Sequence, residues 1–117
     1  MYKKDKANLL AIIDSIDKIL TYVKGISNAV QFYKNSVVFD ATLMNFVVIG
    51  EMVDRLSKSL KEQEPDMDWQ KIKAFRNLVA HDYLGVDAEE VWQIIYNHLP
   101  ILKTKIQTIL DKQNRQT

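Results

Sequence analysis

The densest cluster of reactive side chains lies in one stretch of eight residues, RNLVAHDY at positions 76–83. It combines a permanent cation, an amide, an imidazole, a carboxylate and a phenol, carried by Arg76, Asn77, His81, Asp82 and Tyr83. A guanidinium presents a planar fork of donors that matches phosphate oxygens. An imidazole can accept and donate protons near neutral pH. These residue types favour chemistry on a phosphate group.

Spacing alone does not establish catalysis. In a regular α-helix Asn77 and His81 share a face, whereas Arg76 and His81 point about 140° apart. The long Arg76 stem can still bring its guanidinium into the same cleft where the helix ends. The structural alternative is that His81 interacts with a helix C-terminus and that Arg76 pairs with a neighbour such as Asp82. Spacing by itself favours this structural alternative.

Composition narrows the function classes. The chain has 117 residues, of which 47% are hydrophobic and 26% charged, as expected for one globular domain. A net charge of +1 excludes a polybasic arm or an acidic tail. The absence of cysteine excludes disulfides, thiol nucleophiles and thiolate metal sites. The two histidines, His81 and His98, have no zinc-binding spacing, so we expect neither a metal nor a cofactor.

The sequence gives no export or membrane signal. The apolar run behind the basic N-terminus, Leu9 to Ile13, is stopped by Asp14, and a signal peptide needs roughly 7–15 apolar residues. The longest uncharged apolar stretch, at positions 41–50, contains Asn45 and is shorter than the roughly 20 residues of a spanning helix. We therefore expect a cytoplasmic protein with no membrane contact.

Hydrophobic periodicity predicts helices in the N-terminal half. An amphipathic stripe runs from Leu9 to Val23 and should end at Gly25. One or two helical turns follow around positions 28–33, and a long helix is predicted from Ser36, as N-cap, to about Gln63. The first half of that helix is apolar all round, so it should be central in the bundle and also face a partner subunit. Gly50 within it suggests a close approach of another helix or subunit.

Capping signals divide the C-terminal half. Asp68 should cap a third helix that ends before Gly85, and Asp87 with Glu90 forms a capping signature for the next. Pro100 fits the first turn of the last helix, whose polar tail should fray from about residue 111. The prediction is one all-α domain over residues 1–117, an up-and-down bundle of four main helices plus one or two short ones, dimeric.

Read with its flanks, the reactive stretch resembles a known family. The segments are FRNLVAHDY at 75–83, VD at 86–87, VWQI at 91–94 and LPIL at 99–102, with VIGE at 48–51 and Trp69 upstream. Together they resemble the HepT-like branch of the HEPN superfamily. The resemblance extends from the first helix to Leu110, and the Arg-x4-His-x-Tyr form is specific to this branch.

The resemblance implies a helical homodimer in which two Arg-x4-His motifs line a cleft at the interface. It implies metal-independent endoribonuclease activity, typically as the toxin of a toxin–antitoxin pair. The antitoxin is an MntA-like nucleotidyltransferase, which silences the toxin by transferring AMP to the motif tyrosine. On this resemblance Arg76 and His81 are the catalytic pair, Asn77 is a polar helper and Tyr83 is the AMP acceptor. Whether the RNA target is tRNA or mRNA stays open.

Two supporting carboxylates and a rival function complete the sequence-based hypotheses. Glu51 either is buried facing Arg76 or is partly solvated, and Asp82 could also support the site. The rival is a non-catalytic helical subunit that binds substrate for a minimal nucleotidyltransferase. Positions 78–101 contain no Lys or Arg, so any positive rim must come from Lys71, Lys73 and Arg76 or from either chain end. His98 is expected to be a loop or helix-start residue.

Overall fold

The computed structural model describes residues 2–77 and 87–116, and within them every regular element is helical. The all-α prediction is therefore confirmed for the described residues. Four helices of ten residues or more are joined by shorter ones. In chain order the elements are α1 (Lys3–Tyr22), α2 (Ala29–Lys34), α3 (Ser36–Arg55), α4 (Lys58–Gln63), α5 (Trp69–Lys73), a 3-10 turn (Ala74–Arg76), α6 (Ala88–Asn97) and α7 (Leu99–Gln116).

The core forms where α1 packs against α3 and α7. The predicted stripe of α1 is buried, and one face of α3 meets it. Residues without measurable exposure on the two helices are Leu9, Ile12, Ile16, Ile19, Phe46, Ile49 and Val53. Removing this apolar surface from water, at about 25 cal/mol per Å², is the main force that holds α3 in place. Gly25 follows α1 with φ +83°, as expected of a glycine that ends a helix.

The prediction of one long helix from Ser36 to about Gln63 is wrong, because the helix is interrupted at Leu56 and Ser57. The cause is a partner distant in sequence. The buried Asp5 carboxylate accepts hydrogen bonds from the Ser57 backbone N–H at 2.8 Å and from its hydroxyl at 2.6 Å. The Ser57 hydroxyl oxygen in turn accepts from the Leu60 N–H at 3.1 Å and caps α4.

The other capping predictions are confirmed with one shift. Asn35 caps α3 in place of Ser36, accepting from the Val38 N–H at 3.2 Å. Asp68 caps α5, Asp87 caps α6, and Pro100 lies in the first turn of α7. These caps are local in sequence, and the four N-terminal N–H groups of a helix need such partners.

Two helices differ in extent from the prediction. α7 continues through the polar segment to Gln116, where Lys112 pairs with Glu64 at 2.8 Å. The third predicted helix is α-helical only to Lys73 and then narrows to the 3-10 turn. The remainder of that prediction, toward Gly85, lies outside the described residues.

Among the described helices, α3 is long and apolar enough to cross a membrane by length and composition. The core helix of a soluble protein meets the same two criteria. One side of α3, including Phe46 and Ile49, is fully buried in the bundle. The opposite side is the more open one, with Val37 and Met44 more than half exposed.

Candidate functional site

Gly50 determines how closely the 3-10 turn approaches α3. A Cβ atom at Gly50 would lie 2.8 Å from the Lys73 carbonyl oxygen and 2.9 Å from both Cβ and N of Arg76. These are distances that real Cβ atoms avoid, and two of the three atoms are backbone. The expectation that Gly50 marks a close approach between helices is confirmed. Its lack of a side chain lets the start of the reactive stretch lie directly on α3.

Four charged side chains meet at this junction. Two come from α3, and two come from α5 and the 3-10 turn that follows it, together called the α5 segment (residues 69–76). Arg76 Nη1 donates to Glu51 Oε1 at 3.1 Å and lies 3.6 Å from Asp54 Oδ2. Lys73 Nζ lies 2.8 Å from Asp54 Oδ1. The predicted contact between Glu51 and Arg76 is therefore present. Glu51 is not buried, however, because its side chain is 43% exposed.

The pKa of Asp54 is lowered from its ordinary value of 3.8. The main cause is the hydrogen bond from the Lys73 ammonium, followed by the positive charges of Lys73, Arg76 and Lys61. Asp54 is thus a carboxylate at neutral pH. Its charge is divided between the two cations that reach α3 from the α5 segment.

The Arg76 guanidinium is held without being fully occupied. It has five N–H donors, and the contacts made within the described residues use Nη1. Its side chain is 31% exposed, so part of it is accessible to solvent. Two cations and two carboxylates make the junction close to neutral overall. Arg76 is therefore oriented by α3 while part of its side chain stays accessible.

The structure places part of the predicted constellation. Arg76 ends the 3-10 turn, and the exposed Asn77 follows, its backbone N–H bonding to carbonyls of the same turn. The angle expected between Arg76 and His81 concerns residues 76–81, most of which lie outside the described residues. His81, Asp82 and Tyr83 lie outside the described residues, so their predicted roles stay predictions.

Sequence reasoning missed two members of the junction, Asp54 and the pairing of Lys73. The sequence did contain a spacing signal. Glu51 and Asp54 are three residues apart on α3, and Lys73 and Arg76 are three residues apart in the α5 segment. Matched i, i+3 pairs of opposite sign present complementary faces. Because Lys73 is engaged by Asp54, it is not the free contributor to a positive rim that the sequence suggested.

Two other expectations concern ligands. In the described ranges, 2–77 and 87–116, no group of three or more potential metal-ligating side chains is close enough to hold a metal ion. Phe75, Trp69 and Trp92 are buried, with 6–8% exposure, and belong to the hydrophobic core. His98 caps the end of α6, as a residue between two helices.

The described residues form an all-helical arrangement in which Arg76, at the start of the Arg-x4-His stretch, is held against the glycine-bearing helix α3. A family model described as Ribonuclease HepT-like matches residues 12–109. The chain therefore belongs to the HepT-like ribonuclease family, and the resemblance noted in the sequence is confirmed.

Relatives support the same assignment. A Caldanaerobacter subterraneus protein named "Putative RNase TTE0752" is 30% identical, over 95% of this chain and 98% of its own length. A Methanocaldococcus jannaschii protein named "Putative RNase MJ1380" is 26% identical over 93% of this chain and all of its own. "Probable ribonuclease HepT" of Thermococcus cleftensis is 26% identical over 59% of this chain and 63% of its own. No solved structure matches significantly.

Proposed function

We propose that the protein is a metal-independent endoribonuclease whose catalytic pair is Arg76 and His81. The observation that carries the proposal is the anchoring of Arg76. Glu51 accepts a hydrogen bond from one nitrogen of the guanidinium, and the other N–H donors of Arg76 would bind a phosphate. Membership of a ribonuclease family supports RNA as the substrate on which Arg76 would act.

RNA carries its own nucleophile, so the protein needs to supply only charge and proton transfer. The 2′-oxygen attacks the adjacent phosphorus as its proton passes to a base, and the bond from phosphorus to the 5′-oxygen breaks. The leaving oxygen takes a proton, which gives a 2′,3′-cyclic phosphate and a 5′-hydroxyl end. His81 serves as one of the two proton-transfer groups. Arg76 stabilises the charge on the pentacoordinate phosphate.

A homodimer supplies the second proton-transfer group, because each chain has one His81. Apolar side chains on the open side of α2, α3 and α6 support such a dimer. Those that are at least half exposed are Val30, Tyr33, Val37, Met44 and Tyr96. Large exposed apolar patches are typical of protein interfaces, and α2 packs against both α3 and α6. Two copies would bring two Arg-x4-His motifs to one cleft.

The proposal includes regulation at Tyr83. AMP on the phenol oxygen would add bulk and a negative phosphate two residues from His81, and both would repel RNA. The modifying enzyme would be an MntA-like nucleotidyltransferase antitoxin, and this chain would be the toxin. Asn77 and Asp82 are proposed as polar helpers of the same cleft.

The test compares wild type with His81→Ala, each purified without its partner, on total RNA and on a tRNA pool in EDTA. Wild type should cleave and leave 2′,3′-cyclic phosphate ends, and His81→Ala should not. Mass spectrometry of Tyr83 is run on the same samples, since AMP there would mean that the silenced form was assayed.

Absence of cleavage by an unmodified wild type would contradict the proposal. It would favour the rival, a non-catalytic subunit that presents substrate to a nucleotidyltransferase. In that case Arg76 would bind a phosphate without promoting its reaction. Equal cleavage by wild type and His81→Ala would retain the nuclease but remove His81 from it.

A further inference from the structure

A cavity of about 200 Å³ opens between α5 and α7, beside the Arg76 junction but not part of it. Its floor is apolar and nearly covered: Ile72, Phe75 and Leu102 are 6–7% exposed. Ile101, 56% exposed, stands at the rim. Sites for drug-sized ligands measure roughly 300–1,000 Å³. This cavity is smaller and suits one flat group, such as a single nucleobase.

Two lysines on different helices line the cavity. Lys71 comes from α5 and Lys105 from α7, and His98 lies between α6 and α7 with ring nitrogens that can hydrogen-bond. The carboxylate among the described lining residues is Asp68, and its Oδ1 accepts from the Lys71 backbone N–H at 3.0 Å. The lining thus carries one more positive than negative charge.

Among the described residues, these two lysines differ from their neighbours in having no ion-pair partner. Two residues further along α5, Lys73 pairs with Asp54 at 2.8 Å, and two residues back along α7, Lys103 pairs with Asp17 at 2.7 Å. Within the described part of the chain, neither Lys71 nor Lys105 forms an ion pair. Within the described residues, each helix therefore carries one lysine at the cavity that has no ion-pair partner, while its other lysines are paired elsewhere. Free cations above an apolar floor match a ligand with an anionic and a flat apolar part.

We propose that this cavity is a binding subsite for one nucleotide of single-stranded RNA. The lysines bind its flanking phosphates, and the base packs against Ile101 and the apolar floor. The inference rests on the proposed function, because it takes RNA as the substrate. A base must be unstacked to enter such a slot, which single-stranded segments permit.

The position of the subsite fits a role in holding substrate near Arg76. Phe75 lines the cavity and directly precedes Arg76, while Lys71 lies five residues earlier, about 8 Å along a helix axis. Positions 78–101 contain no Lys or Arg. Lys71 and Lys105 therefore supply cations that the rest of the reactive stretch lacks.

The test measures binding apart from cleavage. A fluorescein-labelled single-stranded RNA with every 2′-hydroxyl methylated lacks the nucleophile and stays intact. Its affinity is measured by fluorescence anisotropy over a series of KCl concentrations, with full-length wild type, Lys71→Gln, Lys105→Gln and the double variant. Lys103→Gln is the matched control, since it removes the same charge from α7 outside the cavity. Circular dichroism melting checks that each variant folds.

The double variant should bind at least tenfold more weakly than wild type. The slope of log affinity against log salt concentration should be less steep by about 1.4, because two phosphate contacts are lost and each contributes about 0.7 on a single strand. Lys103→Gln should bind like wild type. Unchanged affinity of the double variant would overturn the subsite, as would an equal loss in Lys103→Gln.

A further variant tests the base contact. Ile101→Ser should weaken binding several-fold without changing the salt dependence, since no phosphate contact is lost. An unchanged affinity would remove the base from the proposal.

Cleavage of unmodified RNA separates this subsite from the proposed function. Lysine-dependent binding without any cleavage by wild type would retain the subsite and remove the nuclease. Cleavage by wild type with lysine-independent binding would do the reverse.

Discussion

The two faces of the α5 segment differ in whether their positively charged side chains are paired with carboxylates. Toward α3, Arg76 and Lys73 meet two carboxylates within 3.6 Å, and the junction is neutral and fixed. Toward α7, Lys71 faces an apolar cavity with no described ion pair. A neutralised, oriented cation adds little to the attraction of a distant phosphate but is well suited to a charge that develops in place. An unpaired cation attracts a distant phosphate more strongly but is less suited to a charge that develops at one position.

On the proposed function, the α3 face would promote the reaction and the α7 face would bind the substrate. Interactions made equally with substrate and transition state affect affinity, whereas those made only in the transition state affect the catalytic rate. Substitutions on the two faces should separate in kinetics.

The largest effect is expected from Arg76→Lys. It keeps the charge but loses the planar fork, so single-turnover cleavage at saturating RNA should fall about 100- to 1,000-fold. Affinity for the methylated RNA should change by less than about threefold, the reverse of the pattern for the cavity lysines. Arg55→Lys, at the exposed end of α3, is the control. A loss of affinity with an unchanged rate would contradict the division between the two faces.

Gly50→Ala should displace the α3 face of the α5 segment and leave the α7 face in place. Overpacking costs about 1–3 kcal/mol, against about 1 kcal/mol gained from helix propensity. The melting temperature should fall by about 4–8 °C, and the cleavage rate should fall because Arg76 moves. Gly25→Ala, at φ +83° in open space, should destabilise the fold without lowering the rate. A more stable Gly50→Ala would show that propensity alone matters there.

Glu51→Gln tests whether Glu51 positions Arg76. The amide oxygen can still accept, but the charge that strengthens the bond is lost. We expect the cleavage rate to fall about three- to tenfold, equivalent to about 1 kcal/mol, with RNA affinity unchanged. Glu62→Gln, in the exposed pair with Lys58, should have no effect. A faster enzyme would mean that Glu51 restrains Arg76 and does not prepare it.

The smallest effect concerns pH. Because the folded-state pKa of Asp54 is lowered, its contribution to stability is present above its ordinary value of 3.8 and is lost as pH falls through the folded-state value. The melting temperature of wild type should exceed that of Asp54→Asn at pH 6 and approach it near pH 2.5. A difference in melting temperature that persists at low pH would show that the ion pair with Lys73 is not its cause.

Local signals predicted much of the fold. The apolar stripe of α1, the caps Asp68 and Asp87, and the first-turn Pro100 each depend on residues within one or two helical turns. The break at Ser57 depends on Asp5, more than fifty residues away, so no local pattern could show it. The same limit applied at the site, where the contact between Glu51 and Arg76 was only one of two alternatives. Glu51 contacts Arg76 and is also 43% exposed, so each of the two alternatives was right in part.

The central claim is that Arg76 and His81 promote attack by the 2′-hydroxyl of the RNA itself. The most direct measurement uses an oligonucleotide with one ribonucleotide among 2′-methylated residues, incubated in EDTA with wild type, Arg76→Lys or His81→Ala. Wild type should cut only after the ribonucleotide and leave a 2′,3′-cyclic phosphate, and both variants should be strongly impaired. Cutting at methylated positions, or equal rates in all three proteins, would contradict the account.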